Sequence, residues 1–258
     1  MGKVYLVGAG PGDPELLTVK AVRVLERADV VLHDSLVSTE VMGLISAGAT
    51  IVDVGKRAGL KLLTQDEINS VLVSYARKHE VVVRLKGGDP LLFGRASEEI
   101  EALRTANVPF EVVPGISAAF GAAAAAGFSL TDRRAASQVL FTTFSRGDSV
   151  KSLGWREVTA DTTLAIYMPG TDYAEVASRL LDSGLSAEIP CAVISQATRA
   201  DQQILWSNIG ALFHAQRLPA PALLIVGRVA TQDVRELGEK VLAVRSSMLE
   251  EVAAPRRM

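Results

Sequence analysis

The chain alternates between two periodicities. Short apolar runs at Lys3–Gly8, Asp29–His33, Thr50–Val54, Val81–Leu85 and Phe110–Val113 read as strands. Helical patterns lie between them. Leu17, Ala21, Val24, Leu25 and Ala28 share one helical face, and short helices are expected at Thr39–Ser46 and Ser97–Thr105. Thr64 has a capping-box partner in Glu67 and opens a helix with Ile68, Leu72 and Tyr75 or Ala76 inward. Parallel strands need long crossovers, usually helices, so this alternation predicts an α/β domain with a largely parallel sheet. Pro114-Gly115 breaks the pattern, and a helix of small residues, Ser117–Ala126, follows. Strands then fall at Val139–Thr143, Thr163–Met168, Cys191–Ser195, Gln203–Ser207 and Ala222–Val226, and helices at Tyr173–Ser183 and Gly210–Ala215. The expected organisation is two consecutive α/β domains with mostly parallel sheets, residues 1–113 and 114–230, and a helical or frayed tail, 231–258.

Charge and cysteine content narrow the function. The 258 residues carry 27 Lys plus Arg against 29 Asp plus Glu, a net charge of −2. No global field draws the chain to nucleic acid or anionic lipid. One cysteine, Cys191, cannot form an internal disulfide or a Cys-based zinc site. It lies in an apolar strand and reads as a buried small hydrophobe. His33, His79 and His214 lie in separate segments without metal-ligand spacing, and no G-x-S-x-G nucleophile elbow occurs. The uncharged stretch Val112–Thr131 is too weakly apolar to span a bilayer, and the N-terminus has no signal-peptide core. A soluble, cytoplasmic protein is the expectation.

Three glycine turns follow predicted strands. The first, Gly8-Ala9-Gly10-Pro11-Gly12-Asp13-Pro14, invites a dinucleotide-binding reading with Asp34 as the ribose acid. Asp13 stands where that fingerprint needs its third glycine, and two prolines remove N–H groups that a pyrophosphate would use. The second turn is Lys86-Gly87-Gly88-Asp89-Pro90, continuing through Leu92, Gly94 and Arg95 to Glu98 and Glu99. Paired glycines at a strand's end let a ligand approach backbone. The third is Pro114-Gly115-Ile116-Ser117-Ala118, at a helix start with free N–H groups. Each alone is also compatible with a plain turn.

The wording and order of these turns resemble the S-adenosylmethionine (SAM)-dependent tetrapyrrole methylases, and within them the branch that methylates uroporphyrinogen III. The resemblance is carried by V-G-A-G-P-G-D-P-E-L-L-T from Val7, D-V-V-L-H-D-S-L-V from Asp29, V-G-K-R-A-G from Val54, V-R-L-K-G-G-D-P-L-L-F-G-R from Val83 and F-E-V-V-P-G-I-S-A from Phe110. It runs from Val4 to about Val229 and is dense before Ser129. It implies the class III SAM methyltransferase fold and a homodimer. It implies C-methylation of uroporphyrinogen III at two pyrrole carbons, C2 and C7, giving precorrin-2 and S-adenosylhomocysteine. The resemblance puts Pro11, Gly87, Gly88, Asp89, Leu92, Ser117, Ala118, Met168 and Ala197 at the cofactor. It matches Asp34 and Lys56 to acid–base positions, and Arg95, Glu98 and Arg133 to substrate binding or proton removal. The substrate's many carboxylates call for local positive charge, with Lys56, Arg57, Arg95, Arg133 and Arg134 as candidates.

Five positions or stretches depart from the family's pattern: Ser35, Leu60–Leu63, Asp132, Thr143-Phe144 and Ala197. All but Ala197 fall on the expected substrate side. The alternatives carried forward are a methylase of another tetrapyrrole or corrin intermediate, a SAM-binding homologue with weak catalysis, and a nicotinamide-dependent dehydrogenase.

Overall fold

A computed structural model describes residues 2–55, 63–144, 158–159, 161–170 and 172–231. The described residues up to Gly121, joined by Ala197–Ala200, form one unit; those of Ala122–Gln196 and from Asp201 on form the other. The tail from residue 232, and with it the expected frayed segment, lies outside the described residues.

The first unit is a sheet of five strands, β1 (Lys3–Gly8), β2 (Val30–His33), β3 (Thr50–Asp53), β4 (Val81–Lys86) and β5 (Phe110–Val113), in the order β3-β2-β4-β1-β5. Every pair is parallel. The connecting helices are α1 (Val19–Leu25), α2 (Thr39–Met42), α3 (Gln65–Ala76) and α4 (Ala96–Thr105). The three central strands β1, β2 and β4 are rich in valine and buried on both faces, as the covered part of a parallel sheet requires, while β3 at the edge leaves Ile51 half exposed. Tyr5, Val7, Val31, Val83 and Leu85 pack with Ala21, Val24 and Leu25 of α1. The alternate residues Val4, Leu6, Val30, Leu32 and Val82 pack with Ile68, Leu72 and Ala76 of α3 and Leu103 of α4. The capping box at α3 forms in both directions: Glu67 N donates to Thr64 Oγ1 at 3.2 Å, and Thr64 N donates to Glu67 Oε2 at 2.7 Å.

Strand order fixes where a ligand fits. From β1 the chain crosses toward β2, and from β4 it crosses the opposite way toward β5, although β1 and β4 are neighbours. Adjacent strands with diverging connections leave a crevice at their carboxyl ends. The glycine turns emerge there.

α5 (Ala118–Ala126) is followed by β6 (Gln138–Thr143), β7 (Thr162–Tyr167), α6 (Tyr173–Asp182), β8 (Pro190–Ser195), β9 (Gln203–Asn208) and β10 (Ala222–Val226). The second sheet has the order β6-β7-β10-β8-β9. Here the expectation of mostly parallel strands is corrected. Only β6 and β7 pair in parallel, whereas β7–β10, β10–β8 and β8–β9 are antiparallel. The short connection at 196–202 has no crossover helix and returns β9 alongside β8. Tyr173, Val176, Ala177 and Leu180 of α6 cover Leu164, Ile166, Cys191, Val193 and Leu224. The expected helix after Gly210 is a 3-10 turn, Gly210–His214. Among the described residues no helix is long and apolar enough to cross a membrane.

At the edge of the first sheet, Glu111 on β5 receives Lys3 Nζ at 2.6 Å and also pairs with Lys20. Hydrogen bonds from Lys20 and Lys3 hold its carboxyl down at about 2, against an ordinary 4.5. A depressed acid contributes stability above its unfolded value and loses it as pH falls through the folded one. Urea unfolding of Glu111→Gln is expected to show a deficit above pH of about 4.5 that vanishes as pH approaches about 2. A deficit independent of pH would contradict this.

Candidate functional site

The carboxyl ends of β1, β4 and β5 meet almost without side chains. Gly10 and Gly88, both at positive φ (68° and 69°), pair backbone to backbone: Gly88 N donates to Gly10 O at 2.8 Å and Gly10 N to Gly88 O at 3.2 Å. A Cβ on Gly8 would stand 2.6 Å from Gly115 Cα and 2.7 Å from Gly88 O. The crossing of the three turns therefore demands glycine. A Cβ on Gly88 would meet only Ala118 N, at an ordinary contact distance of 3.6 Å, so its φ of 69° rather than crowding favours glycine there.

Polar side chains fasten this floor. Asp89 accepts from Leu91 N at 2.8 Å and from Gly115 N at 3.0 Å, tying the second turn to the third. Asp13 Oδ1 accepts from Glu15 N at 2.8 Å and caps the 3-10 turn Pro14–Leu16. The residue that breaks the dinucleotide fingerprint is thus a cap. Asp13 N donates to Thr198 Oγ1 at 3.1 Å, and Arg199 donates to Leu36 O, which fixes the Ala197–Ala200 segment on the first unit.

The first unit contains Pro11, Gly87, Gly88, Asp89, Leu92, Ser117, Ala118 and Ala197, together with Asp34, Arg95 and Glu98. Met168, at the end of β7, and Arg133 belong to the second unit. Lys56 and Arg57 lie outside the described residues. Arg95 forms a two-pronged pair with Glu98, Nε–Oε1 2.8 Å and NH2–Oε2 2.7 Å. That contact raises the Arg95 pKa and lowers that of Glu98. Arg134 pairs likewise with Asp132, and holds that carboxyl at about 2. Leu36, Leu91 and Phe93, on the loops after β2 and β4, expose 50, 63 and 40% of their surface. Phe93 and Arg95 have φ of 53° and 56°; Met168, Gln196 and Thr198 also lie between 51° and 65°. Such backbone costs on the order of 1–3 kcal/mol per residue and gathers at functional loops.

Below the loops lies a charged cluster that the sequence reading did not assign. Glu99 on α4 has no exposed surface. It accepts from Arg84 Nε at 2.8 Å and from Lys86 Nζ at 2.9 Å on each oxygen. Arg84 NH2 reaches on to Asp34 Oδ1 at 2.5 Å. Burial lowers the Lys86 pKa, reinforced by Arg84 and opposed by Glu99. Burial also pulls on Arg84, but Asp34 and Glu99 outweigh it and the net shift is upward. The available signal was Arg84 and Lys86 two apart in a doubly buried strand, an arrangement that demands a buried counter-charge. A separate depression of about 810 Å³ is lined by Asp66, Asn69, Arg77, Glu98 and Glu101, among others, and by none of the glycine turns. Cys191 is buried, and its thiol is pushed up to about 12, which disqualifies it as a nucleophile.

The sequence profile of the Tetrapyrrole (Corrin/Porphyrin) Methylases matches residues 3–212. The chain belongs to that family. The chain is 47% identical over 235 residues to a uroporphyrinogen-III C-methyltransferase of Paracoccus denitrificans, covering 89% of this chain and 82% of the relative. It is 44% identical to a siroheme synthase of Sodalis glossinidius, covering 95% of this chain and 53% of that one. The chain thus spans about half the length of the siroheme synthases it matches. A crystal structure of uroporphyrin-III C-methyl transferase from Thermus thermophilus, complexed with S-adenyl homocysteine, superposes with a TM-score of 0.78 at 36% identity, covering 88% of this chain and 98% of the other.

Removing one partner of a buried charge group costs about 3–5 kcal/mol. Glu99→Ala is expected to lose that amount in urea unfolding, since it takes the carboxylate from buried Lys86 and leaves Arg84 with Asp34 and Leu85 O alone. A loss below about 1 kcal/mol would show that water or relaxation satisfies both cations.

Proposed function

We propose that this chain is a SAM-dependent C-methyltransferase that converts uroporphyrinogen III to precorrin-2 by two methylations. The observation that carries the reading is the backbone-only floor of Gly8, Gly88 and Gly115 at the switch point of the first sheet. The names of the Paracoccus and Thermus relatives support the acceptor and the cofactor.

The residues present fit SAM. Gly88, at a φ of 69° with only Ala118 N near its missing Cβ, keeps the turn bare of side chains where the cofactor would lie. Pro11, Gly87, Leu92, Ser117 and Ala118 would hold the cofactor there, with Asp89 fixing the loops and Met168 and Ala197 completing the set. Ala in place of the family's usual Gly at 197 is compatible with a contact made through backbone. When bound, SAM supplies an electrophilic methyl on a sulfonium sulfur, so a pyrrole carbon gains a C–C bond as the S–CH₃ bond breaks and S-adenosylhomocysteine is released. The chain's own task is to hold the acceptor in line and to take the proton lost from the macrocycle. Asp34 and Lys56 are proposed for acid–base work. Arg95, Glu98 and Arg133 are proposed for substrate binding or proton removal. In this structure Arg95 already grips a carboxylate, that of Glu98, in the two-pronged geometry that a substrate carboxylate would use. The exposed Leu36, Leu91 and Phe93 offer apolar surface for a macrocycle's flat face.

A homodimer in the cytoplasm completes the proposal and is supported by the family resemblance. Relatives named siroheme synthase support a product destined for siroheme.

Purified protein with SAM and enzymatically generated uroporphyrinogen III is expected to give the absorption spectrum of a dimethylated product, and S-adenosylhomocysteine in step with it. SAM consumed only with other tetrapyrroles would move the acceptor; SAM bound without turnover would make the chain a binding protein; NAD affinity without SAM affinity would overturn the reading altogether. Gly88→Val is expected to weaken SAM binding by roughly a hundredfold or more, because a β-branched residue at a φ of 69° strains the turn and puts a side chain on the bare floor. Unchanged calorimetric affinity in a folded variant would misplace the floor.

A further inference from the structure

We propose that Arg84 is the positioning residue of Asp34, locked in place by Glu99. The inference rests on the acid–base role proposed above for Asp34. Three nitrogens of the Arg84 guanidinium are engaged in three directions. Nε donates to Glu99 at 2.8 Å, NH1 to Leu85 O at 3.2 Å and NH2 to Asp34 at 2.5 Å. A planar fork held at three corners has no rotation left. Glu99 is pinned from the other side by Lys86 on both oxygens. The chain of charges therefore runs Lys86–Glu99–Arg84–Asp34, balanced at two cations and two anions. Only its last member reaches solvent appreciably: the Asp34 side chain is 29% exposed, against 0–4% for the other three.

Stability alone does not account for such a cluster. Well-packed apolar residues of similar volume often serve a core as well as a buried ion group or better. The placement points to geometry instead. Arg84 and Lys86 lie two residues apart at the carboxyl end of β4, just before Gly87, and Asp34 follows the neighbouring β2. Glu99 stands in the first turn of α4, next to Glu98 and four residues after Arg95. The Lys86 stem passes 3.3 Å from where a Cβ of Gly94 would lie, beneath the strained Phe93–Arg95 turn. One buried carboxylate thus sets both the Asp34 carboxyl and the start of the helix that presents Arg95.

The test is a double-mutant cycle. Turnover of uroporphyrinogen III with SAM is measured for wild type, Asp34→Asn, Arg84→Lys and the double variant, with SAM affinity by calorimetry. Lysine keeps the buried charge but cannot bridge Glu99 and Asp34 at once. The expected result is a kcat loss of about tenfold or more for Arg84→Lys, with KM and SAM affinity within about threefold of wild type. Adding Arg84→Lys to Asp34→Asn should cost nothing further. Multiplying losses in the double variant overturn the proposal, as does a loss spread evenly over kcat, KM and SAM affinity. If Arg84→Lys does not fold, Glu99→Asp shortens the same tether by one methylene and enters the cycle in its place. A folded wild type that leaves uroporphyrinogen III unmethylated refutes the acceptor and not the tether. The same cycle read by urea unfolding then decides: coupling between positions 34 and 84 supports the tether, and additivity overturns it.

Discussion

One carboxylate with no access to water, Glu99, is the contact on which the rest of the first unit's geometry turns. It neutralises two cations that would otherwise be untenable at the end of a doubly buried strand. By doing so it couples β4 to α4, and through Arg84 it couples β4 to the end of β2. Those are the elements whose loops carry Gly87, Gly88, Arg95 and Asp34. Apolar packing on the two faces of the sheet supplies cohesion but specifies loop ends poorly. A three-cornered guanidinium specifies them well.

Above the charged cluster the molecule does the opposite and removes side chains. Gly8, Gly88 and Gly115 approach so closely that a methyl on Gly8 would collide with backbone. A rigid, charged support and a bare backbone floor together suit a ligand recognised by shape and amide groups. The departures from the family pattern also acquire local reasons. Asp132 accepts from Arg134 N at 2.7 Å and pairs with its guanidinium, so it closes a turn and uses the charge of Arg134 at home. Phe144 packs on the core of the second unit and lies under the Arg179 guanidinium at 4.7 Å. Arg133 remains as an exposed cation on that turn.

Much of this was legible in sequence, for identifiable reasons. Short apolar runs mark β1 to β5, and the Thr64–Glu67 capping box marks the start of α3. The glycine turns were readable because three close backbone approaches leave no other residue type. Strand direction in the second sheet was not readable: an apolar run of five or six residues looks the same parallel or antiparallel, and only the short 196–202 return distinguishes them. The charged cluster was half visible. Arg84 and Lys86 announce a buried counter-charge, but its identity depends on how α4 crosses the sheet, and Glu99 in isolation resembles its exposed neighbour Glu98.

The central claim is that a cofactor lies against backbone at the carboxyl ends of β1 and β4. A crystal structure of this chain with S-adenosylhomocysteine tests it most directly. The account predicts density against Gly87 and Gly88, with the Asp89 carboxylate still holding Leu91 and Gly115. Density bound elsewhere, with the glycine floor closed and bare, would contradict it.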